Sequence, residues 1–168
     1  MTPVIESLFD EADNRYLKPP ALKEVTTYVV SLNERVMTYR LMRDRELAMM
    51  QTVADQLTSA LPNESDFRLE QALKMAILTL RHSCMAMLTD DANYLEERFL
   101  PWLRESREIH AVQEVDSLLY PALRNSLRQL FSDRQMALLT PYLDQAQQVL
   151  ISDIPASDES LLTVSGMF

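Results

Sequence analysis

The chain has 168 residues, 47% of them hydrophobic, and a single glycine, Gly166. This length fits one domain with a sizeable core, while the scarcity of glycine excludes phosphate-binding glycine loops, Rossmann turns and tight β-hairpins. A formal net charge of -9 argues against a nucleic-acid partner, because binding to phosphates requires a basic surface. The composition therefore predicts an all-helical protein.

No targeting or membrane segment is expected. The N-terminal sequence MTPVIESLFDEAD has no basic leader, and no apolar run approaches the roughly 20 residues that span a bilayer. The single cysteine, Cys84, permits no internal disulfide and fits a reducing compartment. These observations predict a cytoplasmic protein with no transmembrane segment.

The first predicted helix is short. Thr2 can cap it and Pro3 can take its first position. Its apolar face consists of Val4, Ile5, Leu8 and Phe9.

A second, much longer helix is predicted to begin at the prolines of positions 19–20. Apolar residues recur at three- and four-residue steps over 22–36, and the stripe resumes at Leu47 and continues to Leu61. The charged residues 43–46 between the two runs indicate either a joint or a solvated turn of helix.

A loop at 62–66 precedes the third predicted helix, which covers 67–89. Ser65 or Asp66 can cap it. Its inward-facing residues are predicted to be Leu69, Leu73, Ala76, Ile77, Leu80, Met87 and Leu88.

Turn-forming residues at 89–93 end the third helix. Asn93 is predicted to cap the next helix, which carries Glu96 and Glu97 in its first turn. Neighbouring residues on a helix do not face each other, so these two carboxylates do not form a catalytic pair.

Two further helices are predicted over 115–131, where Pro121 can introduce a kink, and over 133–151. Together these elements form one domain, residues 1–151. Residues 152–168 have no sustained period, which favours a flexible tail. The alternative for the tail is a short docking peptide around 161–164.

The residues of catalysis and metal binding are scarce. The chain has two histidines and one cysteine, with no serine-histidine-acid set and no metal-ligand spacing. His82 and Cys84 are two residues apart on a helix and cannot face one ligand. The sequence therefore predicts neither an enzyme nor a metal site.

The most specific pattern in the chain lies at 80–100. It reads LRH at 80–82, AMLTDD at 86–91 and LEERFL at 95–100. These runs resemble Leu-Arg-Tyr, Ala-Met-Leu-Ala-Gly-Asp and Leu-Asp-Glu-Arg-Val-Leu of the phycobiliproteins, the family of allophycocyanin and phycocyanin. Spacing and residue types agree across a helix, its break and the next helix, and the resemblance extends over about residues 12–151.

The resemblance implies a globin-like all-α bundle with a projecting N-terminal helical pair. In the family these helices clasp a partner subunit, which implies an interface that includes Ile5, Leu8, Phe9 and Asp13. Arg98 falls near the same contact, where it could pair with an acid of the partner. The alternatives are a first helix folded back on its own core and an Arg98 on a solvated helix face.

The family's bilin-attaching cysteine falls on Ala72 when residues are counted back without gaps from 95–98. The family motif Cys-x-Arg-Asp thus becomes Ala72-Leu73-Lys74-Met75. In the family the thiol forms the thioether, the arginine meets a propionate and the aspartate binds the pyrrole nitrogens. Ala72 and Met75 can do none of this, so the resemblance implies a member without a covalent bilin and without a cofactor.

The residual pocket is expected to be smaller or more open than in the relatives, because the loop at 62–66 is shorter. Its candidate polar residues are Lys74 and His82. Cys84 is no substitute for the missing thiol, since it points roughly 120° away from Ala72 and is expected to be buried and inert. By the family's helix order, His82 is in the wrong helix for a haem ligand and is expected to be a core or boundary histidine hydrogen-bonded to the backbone.

The function expected from the resemblance is that of a non-chromophorylated interaction protein of the phycobilisome light-harvesting system, in assembly, turnover or regulation. Its partners would be phycobiliprotein subunits or a second copy of the chain, at the cytoplasmic face of the thylakoid in a cyanobacterium or plastid. The main alternative is a non-covalent carrier or sensor of a bilin or another tetrapyrrole, with Lys74 meeting a propionate. A general helical interaction protein without an antenna role is a third alternative.

Overall fold

The computed structural model describes residues 3–12, 16–110 and 113–151, and their regular structure is entirely helical. The helices are α1 (Pro3–Ala12), α2 (Pro19–Ala60), α3 (Asp66–Thr89), α4 (Asn93–Arg98), α5 (Leu100–His110), α6 (Gln113–Leu130) and α7 (Asp133–Ile151). The prediction of an all-α fold is confirmed. Thr2, Asp13 and residues 152–168 lie outside the described residues, and with them the predicted cap of α1, one interface residue and the predicted tail.

The long helix α2 has 42 residues and therefore a length of about 63 Å. It begins at the predicted prolines, because the N–H that proline lacks is not needed in the first turn of a helix. Residues 43–46 continue the helix without a joint. They form a solvated turn in which the exposed side chains of Arg43 and Asp44 pair with each other.

The placement of Leu47 on the apolar stripe of α2 is wrong. Its side chain is 84% exposed, whereas Met49 and Met50 are buried. Because successive helical residues are separated by about 100°, Leu47 lies about 120° from the fully buried Val53 and therefore outside the buried face of α2.

The sequence predicted side-chain caps for α3 and α4, and the structure supports one of the two predictions. Of the two caps predicted for α3, Ser65 and Asp66, the structure has Ser65, whose hydroxyl oxygen accepts the backbone N–H of Arg68 at 3.3 Å. The prediction of Asn93 as the cap of α4 is wrong. Asp91 accepts the backbone N–H of Asn93 at 3.0 Å, and Ala92 precedes the helix without a side-chain bond. Aspartate and asparagine form the same kind of turn, so local sequence did not separate these two neighbours.

The core lies around α3, which packs against α2, α6 and α7. Leucine is the most frequent residue of the core, and its fully buried members from four helices include Val53, Leu80, Leu119, Leu127 and Leu139. Pro121 stands inside α6, and the helix continues on both sides of it.

The N-terminal part of the chain stands away from this core. None of the residues 19–34 of α2 is buried, and α1 packs against α2. From Arg35 onward α2 presents a regular buried face that includes Thr38 and Met42. We call α1 together with residues 19–34 the arm. It corresponds to the projecting helical pair that the resemblance to the phycobiliproteins implied.

Candidate functional site

Ala72, the position on which the family's bilin-attaching cysteine falls by the resemblance, lies inside the core. Ala72 is 0% exposed, and Met75, one turn later on α3, is also buried. Both belong to the cluster of apolar side chains that holds α2, α3, α6 and α7 together. A group attached at position 72 would therefore have to displace core side chains.

The two candidate polar residues of the pocket are not brought together. The ammonium group of Lys74 is exposed and lies 2.7 Å from the carboxylate of Glu70, one turn earlier on α3. His82 is half-buried, and its ring stacks on Phe99 with ring centres 4.3 Å apart. The two side chains therefore make separate contacts: Lys74 pairs with Glu70 on the exposed face of α3, and His82 stacks on Phe99 between α4 and α5.

The environment of His82 differs from the prediction of a backbone hydrogen bond. Its Nδ1 atom is buried and has no hydrogen-bond partner among the described residues. Burial lowers the pKa of His82, because the charged imidazolium loses hydration in this position. Two further aromatic side chains join this cluster: the ring centre of Tyr94 lies 6.1 Å from that of His82, and the ring centre of Trp102 lies 5.6 Å from that of Phe99.

A groove of about 420 Å³ lies between α2 and α3, away from Ala72. Its lining is Tyr39, Met42, Arg43, Glu46, Leu47, Arg81, Cys84 and Met85. Across it the guanidinium of Arg81 donates to both carboxylate oxygens of Glu46, which raises the pKa of Arg81. Cys84 is fully buried beneath the groove, and burial raises the pKa of its thiol to about 12. The expectation of a buried cysteine is confirmed, and the raised pKa disfavours the thiolate, which is the reactive form of cysteine.

The predicted interface residues are found on different elements. Ile5 is buried against α2, Leu8 is half-buried and Phe9 is 48% exposed. Arg98 is exposed at the end of α4, with no ion pair to any described residue. Asp13 lies outside the described residues.

Sequence reasoning missed a buried ionic site where α2 enters the bundle. The guanidinium of Arg35, which is 1% exposed, donates to the carbonyl of Leu88 (3.4 Å), the carbonyl of Tyr28 (3.4 Å) and the hydroxyl of Ser31 (3.1 Å). Its Nη1 lies 3.5 Å from a carboxylate oxygen of Asp90, and its central carbon lies 4.5 Å from the centre of the Tyr28 ring. The site joins the arm to the end of α3.

The second carboxylate oxygen of Asp90 accepts the hydroxyl proton of Tyr142 at 3.5 Å, which brings α7 into the same network. Burial and the nearby Asp90 carboxylate raise the pKa of Tyr142 to about 12. A signal for this site was present in the sequence. Arg35, Met42 and Met49 are seven residues apart, so a charged residue occupies a position on the buried face of α2.

Among the described residues, no group of three or more histidine, cysteine, aspartate or glutamate side chains is placed to hold a metal ion. No helix in the described ranges has the length and apolarity that a membrane span requires.

These features define an all-α protein of globin-like architecture that carries a projecting helical arm. Residues 7–150 match the family model described as phycobilisome protein, and the chain belongs to this family. The family comprises light-harvesting, non-enzymatic proteins that assemble with other subunits, and the role of this chain is accordingly related to the phycobilisome. No curated protein matches the chain.

Proposed function

We propose that this chain is a phycobilisome protein without a covalently attached bilin, and that it acts through protein contacts in the assembly, turnover or regulation of the antenna. The observation that carries the proposal is the complete burial of Ala72 in the core. Its partner is a phycobiliprotein subunit or a second copy of the chain, met at the cytoplasmic face of the thylakoid.

The chemistry at positions 72–75 supports the absence of a covalent bilin. Attachment requires a thiol that a lyase can reach, and position 72 offers a methyl group enclosed by core side chains. The buried thioether of Met75 cannot accept hydrogen bonds from pyrrole nitrogens as a carboxylate does. Lys74, the one remaining cation of the motif, is already paired with Glu70.

The arm supports a role in protein contacts. It exposes several large apolar side chains, namely Phe9 (48%), Leu22 (51%), Val29 (57%) and Val30 (70%). An exposed group of apolar side chains is typical of a surface that binds another protein. Phe9 and Arg98 are the members of the proposed interface that are free to contact a partner, whereas Ile5 holds α1 against α2.

The proposal is tested by affinity purification of the tagged full chain from its native host, with partners identified by mass spectrometry. The visible absorbance of the tagged chain is then measured before and after denaturation in acidic urea. Recovery of phycobiliprotein subunits with a colourless chain is the expected result. A coloured chain that loses its pigment in acidic urea and brings no such partners would instead support the non-covalent carrier.

Replacing Ala72 with cysteine should not restore bilin attachment. The new thiol would be enclosed by the core, and Met75 would still lack the carboxylate that holds the pyrrole nitrogens. The measurement is zinc-enhanced fluorescence of the denatured chain after co-expression with a bilin and its lyase. Leu47→Cys, which places a thiol at an 84% exposed position, controls for nonspecific attachment. Efficient labelling of the Ala72→Cys chain alone would contradict the proposal.

Replacing Arg98 with glutamate should weaken association with the partner about tenfold, because reversal of a charge at an interface places like charges together. The melting temperature should change little, since Arg98 is exposed and has no ion pair among the described residues. Affinity is measured by titration with the partner recovered above, or by sedimentation for self-association. Arg128→Glu, another exposed arginine in the last turn of a helix, is the matched control. If Arg98→Glu and Arg128→Glu change the affinity equally, Arg98 is not part of the interface.

A further inference from the structure

The arm contains a stretch of helix that is weak by sequence. Residues 25–31 read VTTYVVS, in which five of seven residues are β-branched and the other two are serine and tyrosine. β-Branched side chains lose rotamer freedom in a helix, and serine and tyrosine are also poorer helix formers than alanine or leucine. Because none of these residues is buried, core packing does not compensate for the low propensity.

The stretch is supported at its C-terminal side by Arg35. The guanidinium reaches back along α2, binds the carbonyl of Tyr28 and the hydroxyl of Ser31, and lies over the Tyr28 ring. Long side chains on a helix point toward its N-terminus, so these contacts fit the ordinary direction of an arginine. Arg35 thus contacts both a backbone and a side-chain acceptor of the weak stretch.

The position of Arg35 is in turn fixed from α3. The carbonyl of Leu88 is in the last turn of that helix, where the helix dipole favours a cation. Asp90 is the first residue after α3, and one of its carboxylate oxygens lies 3.5 Å from the guanidinium of Arg35. This buried end of the arginine is therefore held by two acceptors that belong to the bundle and not to the arm.

The backbone of Asp90 is unusual in a way that bears on its role. It has φ 53 and ψ 50, the left-handed conformation that glycine adopts without cost. Aspartate tolerates this conformation less well than glycine, and its presence is explained if its carboxylate provides a compensating contact. Its contacts include the guanidinium of Arg35 and the hydroxyl of Tyr142.

We propose that Asp90 is a positioning residue for the arm: its carboxylate holds Arg35, and through Arg35 it keeps the weak stretch 25–31 helical and the arm in a fixed direction. The arm is then ordered before a partner arrives, so that less conformational entropy is lost on binding. This last step rests on the proposed function, because it requires that the arm contacts the partner.

The test is hydrogen exchange of the full chain, read by mass spectrometry on peptides from 19–34 and from 69–87. Asp90→Asn keeps a residue that tolerates the left-handed conformation but removes the charge. Asp90→Gly removes the carboxylate and also the backbone cost. Asp44→Asn is the matched control, since it neutralises an exposed aspartate that also pairs with an arginine.

Both Asp90 variants should accelerate exchange in 19–34 about tenfold, as expected for loss of a charge-assisted contact that opposes local opening. Exchange in 69–87 should not change, and Asp44→Asn should leave both regions unchanged. Unchanged exchange in 19–34, or an equal acceleration in 69–87, would overturn the positioning role.

Affinity for the partner separates this inference from the proposed function. Faster exchange in the arm together with weaker association supports both. Faster exchange in the arm with unchanged association supports the positioning role and argues against the arm as the interface.

Discussion

Replacing Arg35 with glutamate should lower the free energy of unfolding by about 3–5 kcal/mol, the cost of leaving a buried charge without compensation. The new carboxylate would lie in a buried position beside Asp90 and beside the carbonyl end of α3, both of which repel it. The hydrogen bonds to Tyr28 and Ser31 would also be lost. The effect is measured by urea unfolding followed by circular dichroism.

The matched control is Arg43→Glu on the same helix. Arg43 is exposed and pairs only with its exposed neighbour Asp44, so its reversal should cost less than about 1 kcal/mol. Arg35→Lys keeps the charge but loses the planar donor geometry. Its loss in the free energy of unfolding should lie between those of Arg35→Glu and Arg43→Glu. If Arg35→Glu does not fold, the lysine variant still reports on the site. Equal stability of the Arg35→Glu and Arg43→Glu chains would show that the buried site contributes little.

Replacing Leu80 with alanine should lower the free energy of unfolding by about 2–5 kcal/mol, through lost burial and the cavity that remains. Leu80 is 0% exposed, and it lies on α3, the helix that contacts α2, α6 and α7. Collapse of the surrounding side chains can reduce the cavity, which is why the expected range is wide. Urea unfolding provides the measurement, with the slope of the transition checked for two-state behaviour.

Leu47→Ala is the control for this prediction, because it makes the same substitution at an 84% exposed position. It should change the free energy of unfolding by no more than about 0.5 kcal/mol. A comparable loss at Leu47 and Leu80 would mean that α3 is not at the centre of the core.

Local chemistry made much of the fold predictable. The prolines that open α2 and the capping hydroxyl of Ser65 act within one turn of helix, and both predictions agree with the structure. The resemblance to the phycobiliproteins, read from residues 80–100, agreed with the family match. These signals depend on neighbouring residues or on a long shared pattern, and neither requires knowledge of tertiary contacts.

The remaining features depend on contacts between distant segments. A charged run such as 43–46 can end a helix or be one solvated turn of it, and only the packing of both halves of α2 decides between these. His82 stacks on Phe99, and no spacing rule relates the two positions. The partners of Arg35 include groups 53 and 55 positions away at Leu88 and Asp90, so its burial follows from the crossing of α2 and α3.

Because α2 is one unbroken helix, a rotation of the helix about Arg35 also moves the arm. Arg35 lies where α2 enters the bundle, and the 16 residues 19–34 place the outer end of the helix about 24 Å from it. A tilt of α2 by about 5° at Arg35 would move that end by about 2 Å. As long as the contacts of Arg35 keep residues 25–31 helical, a displacement of the arm by a partner would be transmitted along α2 into the interior. A small repacking beside Arg35 would equally be magnified at the outer end, so binding geometry and core packing cannot vary independently.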